Sequence, residues 1–228
     1  SMLESDIQRM SGLKIKLSQI FIVYHEYLAK ARSFVETRGK TYIGEGSEGN
    51  AVIRIIREQG IMPYEIFNGL KPEQPFHDHS RLFEEFHAYL EGVKARQAWD
   101  PQAVEQNVKA MLGHYLGTPP ATFTWKGKSM TPKAFAKAIK LDPDAYVDIL
   151  SYLQHPYWQR VPYDVPDNWW HDDSYHNVPL DVFMDTLKQA LKAGYSVSLG
   201  GDVSEPGYQS RAEVGIVPTF DIPAAYID

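Results

Sequence analysis

The sequence contains no cysteine. That excludes disulfides and thiolate metal sites, and it excludes a cysteine nucleophile supplied by these 228 residues. An excess of positive charge is missing as well: 23 Lys and Arg face 29 Asp and Glu, for a net charge of −6 and a pI near 5.7. With no local basic run, the chain has no phosphate-neutralising surface, which argues against nucleic acid as a partner. Long apolar runs are also lacking. The stretch Ile20 to Tyr24 is far too short to cross a bilayer, and nothing resembles a signal peptide, so a soluble chain with no membrane partner is expected. A leader already removed from a mature chain would leave secretion open.

What is present suffices for a core. At 43% apolar residues, a chain of this length buries roughly 70% of its unfolded surface, and one domain with two lobes, or two small domains, is the expectation.

The organising stretch runs from Tyr42 to Leu70. A short apolar lead-in (Thr41, Tyr42, Ile43) precedes a turn with Gly44, Gly46 and Gly49. A helix over Asn50 to Gln59 follows, with Val52, Ile53, Ile55 and Ile56 on one face, Arg54, Arg57 and Glu58 on the other, and Gly60 at its end. A glycine-rich turn leaves backbone N–H and C=O groups uncovered, so a substrate peptide or a phosphate can approach closely. Gly44 to Gly49 satisfies G-x-G-x-x-G, but only three strand-like residues precede it, and Glu45 and Glu48 would place negative charge where a pyrophosphate should bind; no cofactor is expected. A nucleophile elbow centred on Ser47 would need glycine at 45, where glutamate stands.

Along the chain, Leu3 to Met10 reads as the last turns of a helix closed by Gly12, with no start signal of its own. Ser18 caps a helix whose Ile20, Phe21, Tyr24, Leu28, Ala31 and Val35 point inward, and His25 reads as a half-buried structural histidine. His77, His79 and His87 cluster, yet zinc sites use helical i, i+4 spacing or a further ligand set, and no H-E-x-x-H occurs; a loop feeding a helix over Ser80 to Arg96 is the reading, with no metal. That helix turns Leu82, Phe83, Phe86, Tyr89, Leu90 and Val93 to the core. Asp100-Pro101 starts another helix, with Val104, Val108, Met111, Leu112 and Tyr115 inward. A short hairpin spans Thr122 to Trp125 and Lys128 to Met130, and a helix runs from Thr131-Pro132 to Ile139. The character changes at Leu141. Tyr146 to Tyr152 reads as a strand, followed by an aromatic, proline-rich connection whose Trp169 and Trp170 read as a packing plug between lobes. His171 to His176 reads as a solvated loop. Pro179 to Ala193 is an amphipathic helix with Leu180, Phe183, Leu187, Ala190 and Leu191 on its core face, and Ser196 to Leu199 enters a strand that leads to Gly200-Gly201-Asp202.

The stretch from Gly44 to Leu70 (GEGSEGNAVIRIIREQGIMPYEIFNGL) resembles the segment of papain-like cysteine peptidases in which a Gly-Gly pair precedes a helix and a Tyr-Gly-Val/Ile-Pro turn. The nearest version is that of the bleomycin hydrolase and aminopeptidase C branch. Leu3-Glu4-Ser5-x-Ile7-x-Arg9 is similar to the end of that family's central helix, and Leu17-Ser18-x-x-Phe21-Ile22-Val23-Tyr24 to its next helix. Val197 to Val203 is similar to the strand before its histidine-bearing segment. The likeness is strongest over 1–70 and 176–203 and loosest over 75–140.

The resemblance implies an α+β, papain-like two-lobe fold: a helical lobe over 1–140, holding a remnant of the central helix and a helical insertion, and a β-rich lobe over 141–228. It places Gly46 and Ser47 on the glycine pair that hydrogen-bonds substrate backbone, with Ser47 departing from the second glycine, and Gly200 beside the side-chain specificity pocket. It implies that the catalytic Cys precedes Ser1 and the catalytic His follows Asp228, so the fold is truncated at both ends, no residue here is catalytic, and the chain is inactive alone. Peptides are the implied substrates, with homo-oligomers and a cytoplasmic location by family analogy. Two alternatives stay open: a catalytically dead relative that binds peptides or serves as a scaffold, and an unrelated hydrolase or metal protein that uses the histidine clusters.

Overall fold

Four of the six α-helices in residues 1–140 start at side chains that satisfy the free backbone groups of helix ends. The computed structural model describes residues 1–200 and 208–215. Helix α1 (Met2–Ser11) opens on a capping box: the Ser1 hydroxyl accepts from the Glu4 N–H, and the Glu4 carboxylate takes the Ser1 amino group at 2.7 Å. Glu4 also accepts from the Leu17 N–H at 2.8 Å, which fixes the chain leaving Gly12.

Helix α2 (Gln19–Glu36) is capped by Ser18, whose hydroxyl accepts from the Phe21 N–H and donates to the Phe67 carbonyl. Its expected inward stripe is buried throughout. Helix α3 (Asn50–Gln59) lies beside it and ends at Gly60. Gly60 has φ +83°, and a β-carbon there would fall 2.3 Å from the Pro132 carbonyl carbon. Only glycine permits that approach. Helices α4 (Ser80–Ala95) and α5 (Pro101–Leu116) pack on each other, and α5 lies along α2. The hairpin of β1 (Phe123–Trp125) and β2 (Lys128–Met130) leads into α6 (Pro132–Ala138). One hydrophobic core joins these elements, from Leu3 to Leu141, with Phe34, Phe86, Leu112 and Phe135 fully buried.

The segment after Leu141 is organised differently. Its three-stranded sheet has the order β3 (Ile149–Leu150), β5 (Tyr175–Asn177), β4 (Gln159–Val161), parallel for β3–β5 and antiparallel for β4–β5. The strand expected over Tyr146 to Tyr152 is thus two residues long, β4 falls inside the expected extended connection, and the loop expected over 171–176 supplies part of the central strand. The buried hydrophobic cluster here is Leu150, Val161 and Tyr175. Much of the ordering is polar. The fully buried Asn177 amide donates to the carbonyls of Tyr152, His155 and Pro156, and its side-chain oxygen accepts from the Tyr152 N–H.

Helix α7 (Leu180–Lys192) forms close to its expected span, but no residue of it is buried; Leu180 and Leu191 are 64% and 57% exposed. Its inward stripe is corrected to a partly covered one, with Phe183, Leu187 and Ala190 half-buried and Leu180 and Leu191 exposed. No strand forms over Ser196 to Leu199, and Thr41 to Ile43 form none either. In both places no neighbouring strand pairs with the backbone among the described residues.

Contacts divide the chain into Ser1–Val197 and Ser198–Asp228. Within the second unit, β6 (Tyr208–Gln209) and β7 (Val214–Gly215) form a small antiparallel hairpin. Expectations for Gly201 to Val203 lie outside the described residues.

Candidate functional site

The glycine-rich turn over 44–49 lies against α2 and the loop over 163–172. From α2 comes Lys30, 1% exposed, whose ammonium donates to the Gly44 carbonyl at 2.7 Å and also to the Gly46 carbonyl. Burial pushes the Lys30 pKa below its ordinary value, opposed by the negative charges of Glu26 and Asp167 and reinforced by Arg54.

Glu26, four residues earlier on the same helix and also buried, joins three donors. Its carboxylate accepts from the Ser47 hydroxyl, the Arg54 guanidinium on α3 and the Trp169 indole N–H, the last at 2.7 Å. Arg54 is stacked under two indoles, its guanidinium carbon 5.1 Å from the Trp169 ring centre and 4.9 Å from that of Trp170. Placing Arg54 on the solvent face of α3 is corrected: its side chain is 17% exposed and ion-paired.

On the other flank, the Asp167 carbonyl accepts from the Glu48 N–H at 3.3 Å, and a β-carbon on Gly46 would lie 3.6 Å from an Asp167 carboxylate oxygen. The loop is held in shape by buried Asn168, which donates to the Tyr163 and Asp172 carbonyls and accepts from the Asp172 N–H. Burial, with the neighbouring Asp167 and Asp148, raises the Glu48 pKa.

Gly46 is exposed and Ser47 half-buried. The Ser47 hydroxyl is turned inward onto Glu26, while the Ser47 N–H and C=O enter none of the hydrogen bonds formed among the described residues. The turn therefore offers an edge with an amide donor and a carbonyl acceptor at Ser47, beside the Gly44 and Gly46 carbonyls that Lys30 already engages. An extended peptide can pair with such an edge. Gly200 is exposed and belongs to the second unit, and a β-carbon on it would meet nothing within 4 Å.

The histidine clusters converge on less. His77 and His79 have ring centres 5.5 Å apart, and no group of three His, Cys, Asp or Glu among the described residues could share an ion. Asp172 accepts from the N–H and hydroxyl of Ser174, a loop cap. His25 sits against Phe21, its pKa pushed down to about 4 by burial and then by Arg32 and Lys109. A cavity of about 580 Å³, lined by charges of both signs (Lys71, Arg81, Glu73, Asp78), lies at the start of α4 and the end of α5.

Glu26, Lys30, Arg54 and Trp169 were not singled out as site residues from sequence. The one signal for the first two was an acid and a base four residues apart inside the apolar stripe of α2, a pair that costs free energy to bury unless each finds a partner.

Among solved structures, the chain is similar to PepW from Lactobacillus rhamnosis HN001 (DR20), with a TM-score of 0.67 and 20% identity, covering 90% of this chain and 55% of that one. The chain thus spans little more than half the length of that relative. No curated protein matches it. A model of the Peptidase C1-like family matches residues 85–221, more than half of the sequence. The α+β architecture and this match bear out the papain-like reading, and the chain belongs to the Peptidase C1-like family of cysteine peptidases.

Proposed function

We propose that this chain forms the peptide-binding wall of a cysteine peptidase, with the Gly46–Ser47 edge pairing to the backbone of an extended peptide. The observation that carries this reading is the free Ser47 amide and carbonyl on a turn whose Gly44 and Gly46 carbonyls are committed to Lys30. Backbone pairing of this kind gives affinity with little dependence on side chains. Gly200 is proposed as a wall of the side-chain pocket, on sequence likeness. The division between a helical and a β-rich lobe is placed near residue 141, supported by a helical core that ends at Leu141 and a second cluster that begins at Leu150.

The sequence holds no cysteine, so the thiolate that attacks the peptide carbonyl in cysteine peptidases is not supplied by these residues. Peptide binding without thiol-dependent turnover is therefore the activity expected of the 228-residue chain, as part of an active peptidase or as a binding relative. A fluorescently labelled peptide titrated into the chain tests this. Saturable binding that weakens about tenfold in Ser47→Pro, which lacks the N–H donor, is expected. Equal affinity of Ser47→Pro and the parent chain, or peptide cleavage by the isolated chain, would overturn it.

A further inference from the structure

We infer that Lys30 is a positioning residue for the peptide-binding edge, an ammonium buried beneath the turn whose two hydrogen bonds hold the Ser47 backbone outward. The inference rests on the reading of Gly46–Ser47 as that edge. Three features carry it.

First, the turn has no strand partner among the described residues and contains three glycines, so its own conformational preference is weak. Its shape must come from outside. Lys30 engages the carbonyls of Gly44 and Gly46, on either side of Glu45, from a single nitrogen. Second, the clamp is costly where it stands. A side chain 1% exposed on the core side of α2 would be filled more cheaply by leucine or methionine, so the charge serves the contact it makes rather than the packing around it. Third, Glu26 stands four residues away, with its carboxylate shared among Ser47, Arg54 and Trp169. Lys30 thus draws on the turn carbonyls while Glu26 draws on the Ser47 hydroxyl, and both pull toward α2. Among the groups left without a partner in the described residues are the Ser47 N–H and C=O.

The test compares Lys30→Met, which keeps the volume and removes the charge, with Lys30→Arg and with Leu28→Ala, a core truncation on the same helix. Three quantities are read on each 228-residue chain: Kd for the labelled peptide, amide exchange at Gly46 and Ser47, and thermal midpoint. Lys30→Met is expected to raise Kd about tenfold and to speed exchange at both amides at least as much. Lys30→Arg, with its planar fork, should recover part of both effects. Leu28→Ala should lower the midpoint while leaving Kd within about twofold, since truncating a core side chain costs global stability. If Lys30→Met does not fold, the Lys30→Arg chain carries the test, and unchanged Kd and exchange in it overturn the inference. Lys30→Met with unaltered exchange also overturns it. Should the parent chain bind no peptide, the edge reading fails by itself, and faster exchange in Lys30→Met would still establish the clamp.

Discussion

Helices α2 and α7 are both amphipathic, yet ten residues of α2 are buried and none of α7 is. In α2, apolar positions meet α3 and α5. In α7, Leu180, Met184 and Leu191 stay open among the described residues. The contrast shows that a hydrophobic stripe specifies which face will be covered, whereas burial itself depends on a partner arriving. Core truncation is the sharpest way to break the comparison. Phe86→Ala, in the core that α2 shares, should cost about 3–5 kcal/mol in urea unfolding, and Leu191→Ala on α7 should change stability by under about 0.5 kcal/mol. A large loss at Leu191 would mean that α7 is covered in solution.

Next in size is the polar line along α2. Glu26→Ala leaves half-buried Arg54 with only the 3.8 Å contact to Glu58, the Trp169 indole with only the Ser47 hydroxyl as acceptor, and the Ser47 hydroxyl without its acceptor, and should cost about 3 kcal/mol by the same measurement. Glu26→Gln keeps an acceptor for Ser47 and should cost less.

Third comes the pH dependence set by His25. Its folded pKa is pushed down to about 4, against an ordinary 6.5. The unfolded chain therefore binds the proton first. The contribution is full above about pH 6.5, shrinks as pH falls from there toward 4, and is level below, amounting to no more than about 2 kcal/mol once partial exposure is allowed for. Denaturation midpoints across pH 4 to 7 should show this slope in the parent chain and lose it in His25→Leu. Below that window a second loss follows, because Arg32 and Lys109 hold the Glu105 carboxyl down to about 2 and its protonation releases both.

A small effect belongs to the solvent side of α2. Arg32 meets Glu105 at 2.8 Å, but its side chain is 48% exposed. Arg32→Ala should cost less than about 1 kcal/mol, and less still in high salt.

How much could be read from the residues follows the same division. Ser18, Asp100, Thr131 and Gly60 mark helix ends by local chemistry, and those boundaries fall where the caps place them. The short strands were harder. Tyr175–Asn177 is held by Asn177 satisfying four backbone groups, a mechanism that leaves no hydrophobic alternation in the sequence. The likeness to papain-like peptidases is clearest over 1–70 and 176–203, and the family match over 85–221 shares the second of these stretches while also taking in the region of loosest likeness. At the turn, the glycines were visible as an approachable backbone. The ion pair and indole behind them were not, because Glu26, Arg54 and Trp169 lie far apart in sequence and meet only through packing.

The contact between Gly60 and the Pro132 backbone has a consequence for engineering. The Ile61 N–H also donates to the Pro132 carbonyl at 3.3 Å, so α6 is seated directly on the exit of the helix that carries Arg54. The hairpin and short helix over 118–140 are thus a buttress for α3 rather than a detachable ornament, and excising them would loosen the far end of the rod on which the glycine turn is mounted.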